Sequence, residues 1–260
     1  MKKIIFLFVF FVGYYSFFAQ NNAYNEFSGG VGKAQYMDTY YFPAGGYQTN
    51  YSLLYNLQKL RPNRKFSLTL FNIQLGYANM KRKVIASNFN IATHLFNLTL
   101  KKEWLYNPSV SLKKLNIYLG FNIALSGNYY IRTNNSLFLN KMTGMYYQFA
   151  LSSGISQICK YSIKKIKIEN HWTLPIALYG LFPEYQNYNY FDLDFLYKNT
   201  QFIFVNNYFQ FNNNFSIEYP LFKNSSLKFS YLFESYYSLV NEITVKNIKH
   251  QLLVGLVFRK

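Results

Sequence analysis

The segment LNIYLGFNIAL, Leu115 to Leu125, carries a large apolar residue at every odd position and Asn116, Tyr118, Gly120, Asn122 and Ala124 between them. A repeat of two puts successive side chains on opposite faces of an extended strand. The same repeat returns along the chain. Tyr47, Tyr51, Leu53, Tyr55 and Leu57 share one face, with Leu54 out of phase; so do Met145, Tyr147, Phe149, Leu151 and Ile155. Ile166, Ile168, Trp172, Leu174, Ile176 and Leu178 form another set, as do Phe209, Phe211, Phe215, Ile217 and Tyr219. Leu227, Phe229, Tyr231, Phe233, Tyr237 and Leu239 follow, then Ile248, Leu252, Val254, Leu256 and Phe258. Weaker alternation over about 26–37, 66–78 and 88–101, where the apolar face switches partway, brings the total to ten strands. No segment has the 3.6-residue period of an amphipathic helix.

The faces opposite these apolar ones decide the environment. They carry Asn, Gln, Ser, Gly, Ala and Tyr, with few charges. A secreted β-sandwich would bury its apolar faces against each other and expose a charged face to water. Small neutral residues fit a narrow, crowded interior instead, with the apolar faces turned outward into lipid. The apolar runs of ten to fourteen residues are long enough to cross a bilayer as tilted strands. Closure into a barrel pairs every backbone group, so no strand edge is left in hydrocarbon. The fold expected is all-β: one closed antiparallel transmembrane β-barrel of about ten strands, within a range of eight to twelve.

The first twenty residues support export. MKK is followed by the apolar run Ile4 to Val12 and by a small residue at Ala19, the layout of a secretory signal peptide. The apolar run is too short to span a bilayer, which needs about 20 residues. The chain is therefore read as a signal peptide, residues 1–20, and a barrel domain, residues 21–260. Cys159 is the single cysteine, so no internal disulfide staples the fold. Phe and Tyr number 27 each. An AT-rich genome would also raise both, so placement rather than abundance carries the argument.

The connections alternate in length. LRPNRK (60–65), the stretch around 101–111, CKYSIKK (159–165) and FKNSS (222–226) fall on one end. Those at 38–46, 79–87, 127–144, 179–200 and 241–246 fall on the other, and two of these are long. Short turns on one side and long loops on the other describe outer-membrane barrels, and an even strand count returns both termini to the short-turn side.

With the export signal, the ten alternating segments and the last one, HQLLVGLVFRK (250–260), the chain resembles the small outer-membrane β-barrel proteins of Gram-negative bacteria. Terminal strands of that class commonly end on an aromatic residue read by the assembly machinery. Here Phe258 stands third from the end, before Arg259 and Lys260. The resemblance implies the outer membrane as location and the barrel assembly machinery as a partner through the C-terminal strand. It transfers no active site.

The formal net charge is +17. For an exported chain the anionic partner expected is lipid rather than nucleic acid. A basic rim is expected on the short-turn, periplasmic side: Lys59, Arg61, Arg64, Lys65, Lys101, Lys102, Lys113, Lys114, Lys160, Lys164 and Lys165, near phospholipid headgroups. Lys81, Arg82 and Lys83 fall at the opposite end, on the lipopolysaccharide side. The longest connection, 180–200, is rich in aromatics and carries Glu184, Asp192 and Asp194; it is read as a loop folded over the barrel mouth, with a sugar or protein partner as the sharper alternative.

Inward charges gather in the last four strands: Lys167, Glu169, His171, Glu218, Lys228, Glu234 and Lys249. In a narrow lumen such charges must pair, which makes an ion-pair network the expected reading. His171 as the base of a lipid-modifying hydrolase is the alternative, although none of Ser152, Ser153, Ser216 or Ser230 lies in a nucleophile motif. No metal-ligand spacing, nucleotide loop or nucleophile elbow occurs, so no cofactor and no catalysis are expected. The roles expected are structural, adhesive or ligand-binding, or a narrow channel, because ten strands enclose little more than their own side chains. An accessory role in an envelope secretion or assembly complex is the third reading.

Overall fold

The computed structural model describes residues 23–38, 47–62, 66–83, 90–108, 115–134, 145–181, 200–240 and 243–259. They form β1 (Tyr24–Asp38), β2 (Tyr47–Pro62), β3 (Leu68–Lys83), β4 (Asn90–Tyr106), β5 (Leu115–Asn134), β6 (Met145–Ile163), β7 (Ile166–Leu181), β8 (Thr200–Phe204), β9 (Tyr208–Phe222), β10 (Ser225–Val240) and β11 (Ile243–Arg259). Apart from β8 and β9, which do not pair with each other, consecutive strands pair antiparallel, and β1 pairs with β11 from Tyr24↔Arg259 to Asp38↔Val245. The β6–β7 pairing completes the ring. β8 and β9 both pair with β7, β8 along Ala177–Leu181 and β9 along Lys167–Thr173. They are two pieces of one stave, so the wall has ten. The expected signal peptide, residues 1–20, lies outside the described residues.

The odd residues of LNIYLGFNIAL face outward and Asn122 and Ala124 face the lumen. Phe121, Ile123 and Leu125 are exposed while Asn122 is 2% exposed. The same holds around the wall: Leu53, Leu75, Leu98, Leu151, Phe229 and Val254 are exposed, and Leu252 reaches 66%. These residues meet no second sheet, which excludes the β-sandwich. Burying that band in hydrocarbon is favourable at roughly 25 cal/mol per Å², and the closed ring leaves no unpaired edge within it. Aromatic side chains mark both ends of the band. Trp104, Tyr106, Tyr161 and Tyr219 lie toward the end that holds Tyr24 and Arg259; Tyr77, Tyr129, Tyr179 and Phe202 lie toward the other. Such girdles sit at the two membrane interfaces.

Most strands run 15 to 20 residues, longer than the apolar runs alone suggest, because they continue past the hydrocarbon. β4 extends to Tyr106, so the connection expected around 101–111 starts later. β6 and β7 meet in the two-residue turn Lys164–Lys165. Lys164, at φ 51°, takes the left-handed conformation that a primed hairpin turn needs at its first central position.

β7 contains a bulge. Its register with β6 passes from Ser153↔Ala177 to Gly154↔Pro175, leaving Ile176 unopposed. One extra residue reverses the facing of everything beyond it. Leu178, expected on the lipid face with Leu174, therefore points inward and is buried.

Candidate functional site

The lumen collects every inward side chain, and it is filled in layers. At the end where β1 begins and β11 ends, Tyr24, Leu60, Leu70, Leu105, Ile158 and Val257 form an apolar plug, with Leu68 and Tyr118 packed against it. Leu70, Leu105 and Ile158 are fully buried. This plug was not expected from the sequence, which placed apolar residues on the outer face.

An ionic chain runs beside the plug. Lys160 Nζ lies 3.0 Å from Glu169, and Lys228 donates to Glu26 Oε2 at 2.8 Å and stands 3.7 Å from Glu169. Arg259 pairs with Glu218 and donates to Ser226 Oγ at 2.9 Å. Tyr24 joins the two halves of this layer: Lys160 Nζ is 5.5 Å and the Arg259 guanidinium 5.7 Å from its ring centre. A buried charge is tolerated when paired and hydrogen-bonded, and here each carboxylate meets at least one cation.

The next layer holds His171 Nε2 at 2.9 Å from Glu103 Oε2. Lys101 Nζ lies 2.8 Å from the other carboxylate oxygen, an ion contact without hydrogen-bond alignment. Glu234 accepts from Lys249 at 2.9 Å and from Gln74 at 3.3 Å. Amides and hydroxyls line the remaining space. Asn122 Nδ2 donates to Ser156 Oγ at 2.8 Å, and Asn97 Nδ2 to Asn128 Oδ1 at 2.7 Å. Among the described residues, a cavity of about 110 Å³ and one of about 50 Å³ are both bordered by Gln74, Lys101, Thr173, Asn212 and Glu234. They are large enough for a few waters. Toward the opposite mouth Ala150, Leu178, Ile203 and Tyr208 pack together, and Tyr236 meets Tyr208 edge-on at 5.5 Å.

All seven charges read as inward, Lys167, Glu169, His171, Glu218, Lys228, Glu234 and Lys249, lie on lumen-facing positions. Lys167 is exposed beside the β6–β7 turn. Sequence reasoning missed Glu26, Glu103 and Arg259, which complete the pairs. The basic rim needs correction at three places. Lys101 and Lys160 lie within strands and turn into the lumen, where Glu103 and Glu169 hold them. Lys102 also lies within β4, but on the lipid face, with its Nζ 4.9 Å from the Trp104 ring centre. Lys59 and Arg61 project outward near the end of β2, and Lys164 and Lys165 occupy an exposed turn. Arg64, Lys65, Lys113 and Lys114 lie outside the described residues, as do Glu184, Asp192 and Asp194.

The remaining histidines face outward as two similar pairs. Tyr77 Oη is 2.8 Å from His94 Nδ1, and Tyr231 Oη is 2.6 Å from His250 Nδ1. Ser152, Ser216 and Ser230 are buried in the lumen while Ser153 faces out. Among the described residues no serine hydroxyl is hydrogen-bonded to His171, and no three His, Cys, Asp or Glu side chains are grouped to hold a metal ion.

A closed antiparallel ring with an apolar outer band, aromatic girdles and a polar, packed interior defines an integral β-barrel protein of the outer membrane. Its turn end, which holds Tyr24 and Arg259, is the periplasmic one. No protein-family model matches the chain, and no curated protein matches it in sequence. Among solved structures it is similar to the outer-membrane protease OmpT from Escherichia coli, at 9% identity and a TM-score of 0.45, over 92% of this chain and 97% of that one. The transport unit of the autotransporter AIDA-I from Escherichia coli gives 9% identity and a TM-score of 0.45, over 94% of each chain. Neisserial surface protein A gives 9% identity and 0.38, over 92% of this chain and 100% of that one.

Proposed function

We propose that this barrel is a non-catalytic, closed-lumen scaffold that holds its outer connections at the cell surface for binding. The observation that carries the reading is the filling of the lumen. An apolar plug and an ionic chain occupy the periplasmic end, a Tyr208–Leu178 cluster occupies the outer end, and among the described residues the cavities between them hold about 110 Å³ and about 50 Å³. A solute would have to displace fully buried side chains at both levels. His171 is committed to a buried carboxylate rather than to a hydroxyl nucleophile, which favours a structural role for it. The outer connections 39–46, 84–89, 135–144 and 182–199 are then the binding surface, and 182–199 has the aromatic and acidic composition suited to stacking on rings and accepting hydroxyl hydrogens.

Three measurements test this. In planar bilayers the refolded protein is expected to give no sustained conductance, and in mixed micelles no phospholipid hydrolysis. Cells displaying the protein are expected to be retained on immobilised glycans or matrix proteins, and cells carrying a glycine–serine replacement of 182–199 are expected to lose that retention. Steady single-channel openings, lipid turnover that His171→Ala abolishes, or retention indifferent to the replacement would each overturn the reading.

A further inference from the structure

The wall carries cations where hydrocarbon begins. In the register of β2, β3 and β4, Lys59 stands opposite Phe71, and Phe71 stands opposite Lys102. All three occupy outward positions, so one row on the lipid face reads Lys59, Phe71, Lys102. The row lies three to four residues inside the periplasmic strand ends Pro62, Leu68 and Tyr106. At about 3.3 Å per residue along tilted strands, that is roughly 8–10 Å from the rim, the depth of the headgroup boundary.

The inward lysines of β4, β6, β10 and β11 meet carboxylates: Lys101 with Glu103, Lys160 with Glu169, Lys228 with Glu26 and Lys249 with Glu234. Among the described residues, Lys59 and Lys102 meet none. Lys102 Nζ stands 4.9 Å from the Trp104 ring centre, which places its ammonium beside the wall with no carboxylate partner among the described residues. Phe71, 41% exposed, supplies an apolar floor between the two cations. Arg61 follows Lys59 on the same outward face, one step nearer the periplasm.

We propose that Lys59 and Lys102 form a headgroup site for an anionic phospholipid of the periplasmic leaflet. The phosphate bridges the two ammonium groups, and the acyl chains descend over Phe71 and the apolar band above it. Two strand spacings of roughly 4.8 Å separate the lysine backbones by about 10 Å, a span that extended lysine side chains close onto one phosphate. A zwitterionic headgroup brings its own ammonium into the same cluster and is disfavoured. The unpaired charges complement an anionic lipid.

The full-length protein, refolded in non-ionic detergent, is presented with equal amounts of phosphatidylglycerol and phosphatidylcholine, and bound lipid is read by native mass spectrometry. Retention of phosphatidylglycerol is expected to exceed that of phosphatidylcholine, and Lys59→Gln and Lys102→Gln are each expected to lower it about fivefold. The double variant Lys164→Gln/Lys165→Gln, in the exposed turn, is expected to retain lipid as the wild type does, and excess inorganic phosphate is expected not to displace it. Equal retention of both lipids overturns the site. So does undiminished retention in Lys59→Gln and Lys102→Gln, a matching loss in the turn variant, or displacement by free phosphate. Heat-modifiable gel mobility of each variant confirms that the barrel has formed.

Discussion

Lys228→Met tests the lumen network most directly. Lys228 is 4% exposed in its side chain and bridges Glu26, 1% exposed, and Glu169. Methionine keeps the length of the side chain and removes its charge. Glu169 retains Lys160 at 3.0 Å, so the cost falls on Glu26, whose one ion pair among the described residues is with Lys228. Stranding one member of a buried pair costs about 3–5 kcal/mol. Neutralising the stranded group removes that penalty, because replacing both partners is often near neutral. The double variant Glu26→Gln/Lys228→Met is therefore expected to return to within about 1 kcal/mol of the wild type. Glu26→Gln alone leaves Lys228 beside Glu169 and is expected to cost about 1–2 kcal/mol. The assay is reversible urea unfolding from phosphocholine vesicles, followed by the fluorescence of Trp104 and Trp172, both of which face lipid. A loss below about 1 kcal/mol for Lys228→Met, or a double variant no more stable than the single one, refutes the claim that this pair is buried and charged.

Two further substitutions probe the wall. A Cβ on Gly120 would lie 1.9 Å from the Trp104 carbonyl oxygen, whereas on Gly29 its nearest neighbour would be 3.8 Å away; Gly120→Ala is expected to abolish the heat-modifiable folded band in gels while Gly29→Ala preserves it. Val254→Arg puts a charge on an exposed position of β11, where lipid-facing arginine costs about 2–4 kcal/mol near the midplane; vesicle unfolding that shows it no less stable than Val254→Ser would mean that this face does not meet hydrocarbon.

The wall was legible in the sequence because lipid imposes a rule of period two on one face and closure satisfies the backbone without further chemistry. LNIYLGFNIAL reads as a lipid-facing strand, and it is one. Errors cluster where that rule lapses. Alternation puts Leu178 on the lipid face, because the bulge at Ile176 leaves no sequence mark except the neighbouring Pro175. Lys101 and Lys160 look like turn residues because lysine is common in turns, but strands continue past the hydrocarbon and carry them into the lumen. The plug was hidden for a related reason. Leu60, Leu70, Leu105 and Ile158 sit near strand ends on inward positions, where alternation predicts polar residues, and their shared burial follows only from bringing β2, β3, β4 and β6 around one axis. Glu26 opens a segment whose apolar face switches partway, and Glu103 falls in the stretch expected as a connection around 101–111, so their partnership with Lys228 and His171 depends on pairings between residues 202 and 68 positions apart. The β6–β7 turn carries no glycine or asparagine signal, since Lys164 itself adopts the left-handed conformation.

The distribution of charge explains why a barrel this narrow needs so few acidic residues and where its excess of lysine goes. Glu26, Glu103, Glu169, Glu218 and Glu234 all lie in the lumen, leaving five of the ten acidic residues for the rest of the chain. Three of the pairs join staves distant in sequence: Glu26 of β1 to Lys228 of β10, Glu103 of β4 to His171 of β7, and Glu218 of β9 to Arg259 of β11. A register slip of one residue in any of these strands would turn its charged side chain into lipid, so the network penalises misassembled rings far more than it stabilises the correct one. Among the described residues, Lys59, Lys102, Lys164 and Lys165 meet no carboxylate and stand on the outer wall and the β6–β7 turn, where lipid phosphate is the available counter-charge. Inside the barrel the charges therefore define register, and outside it they define depth in the membrane.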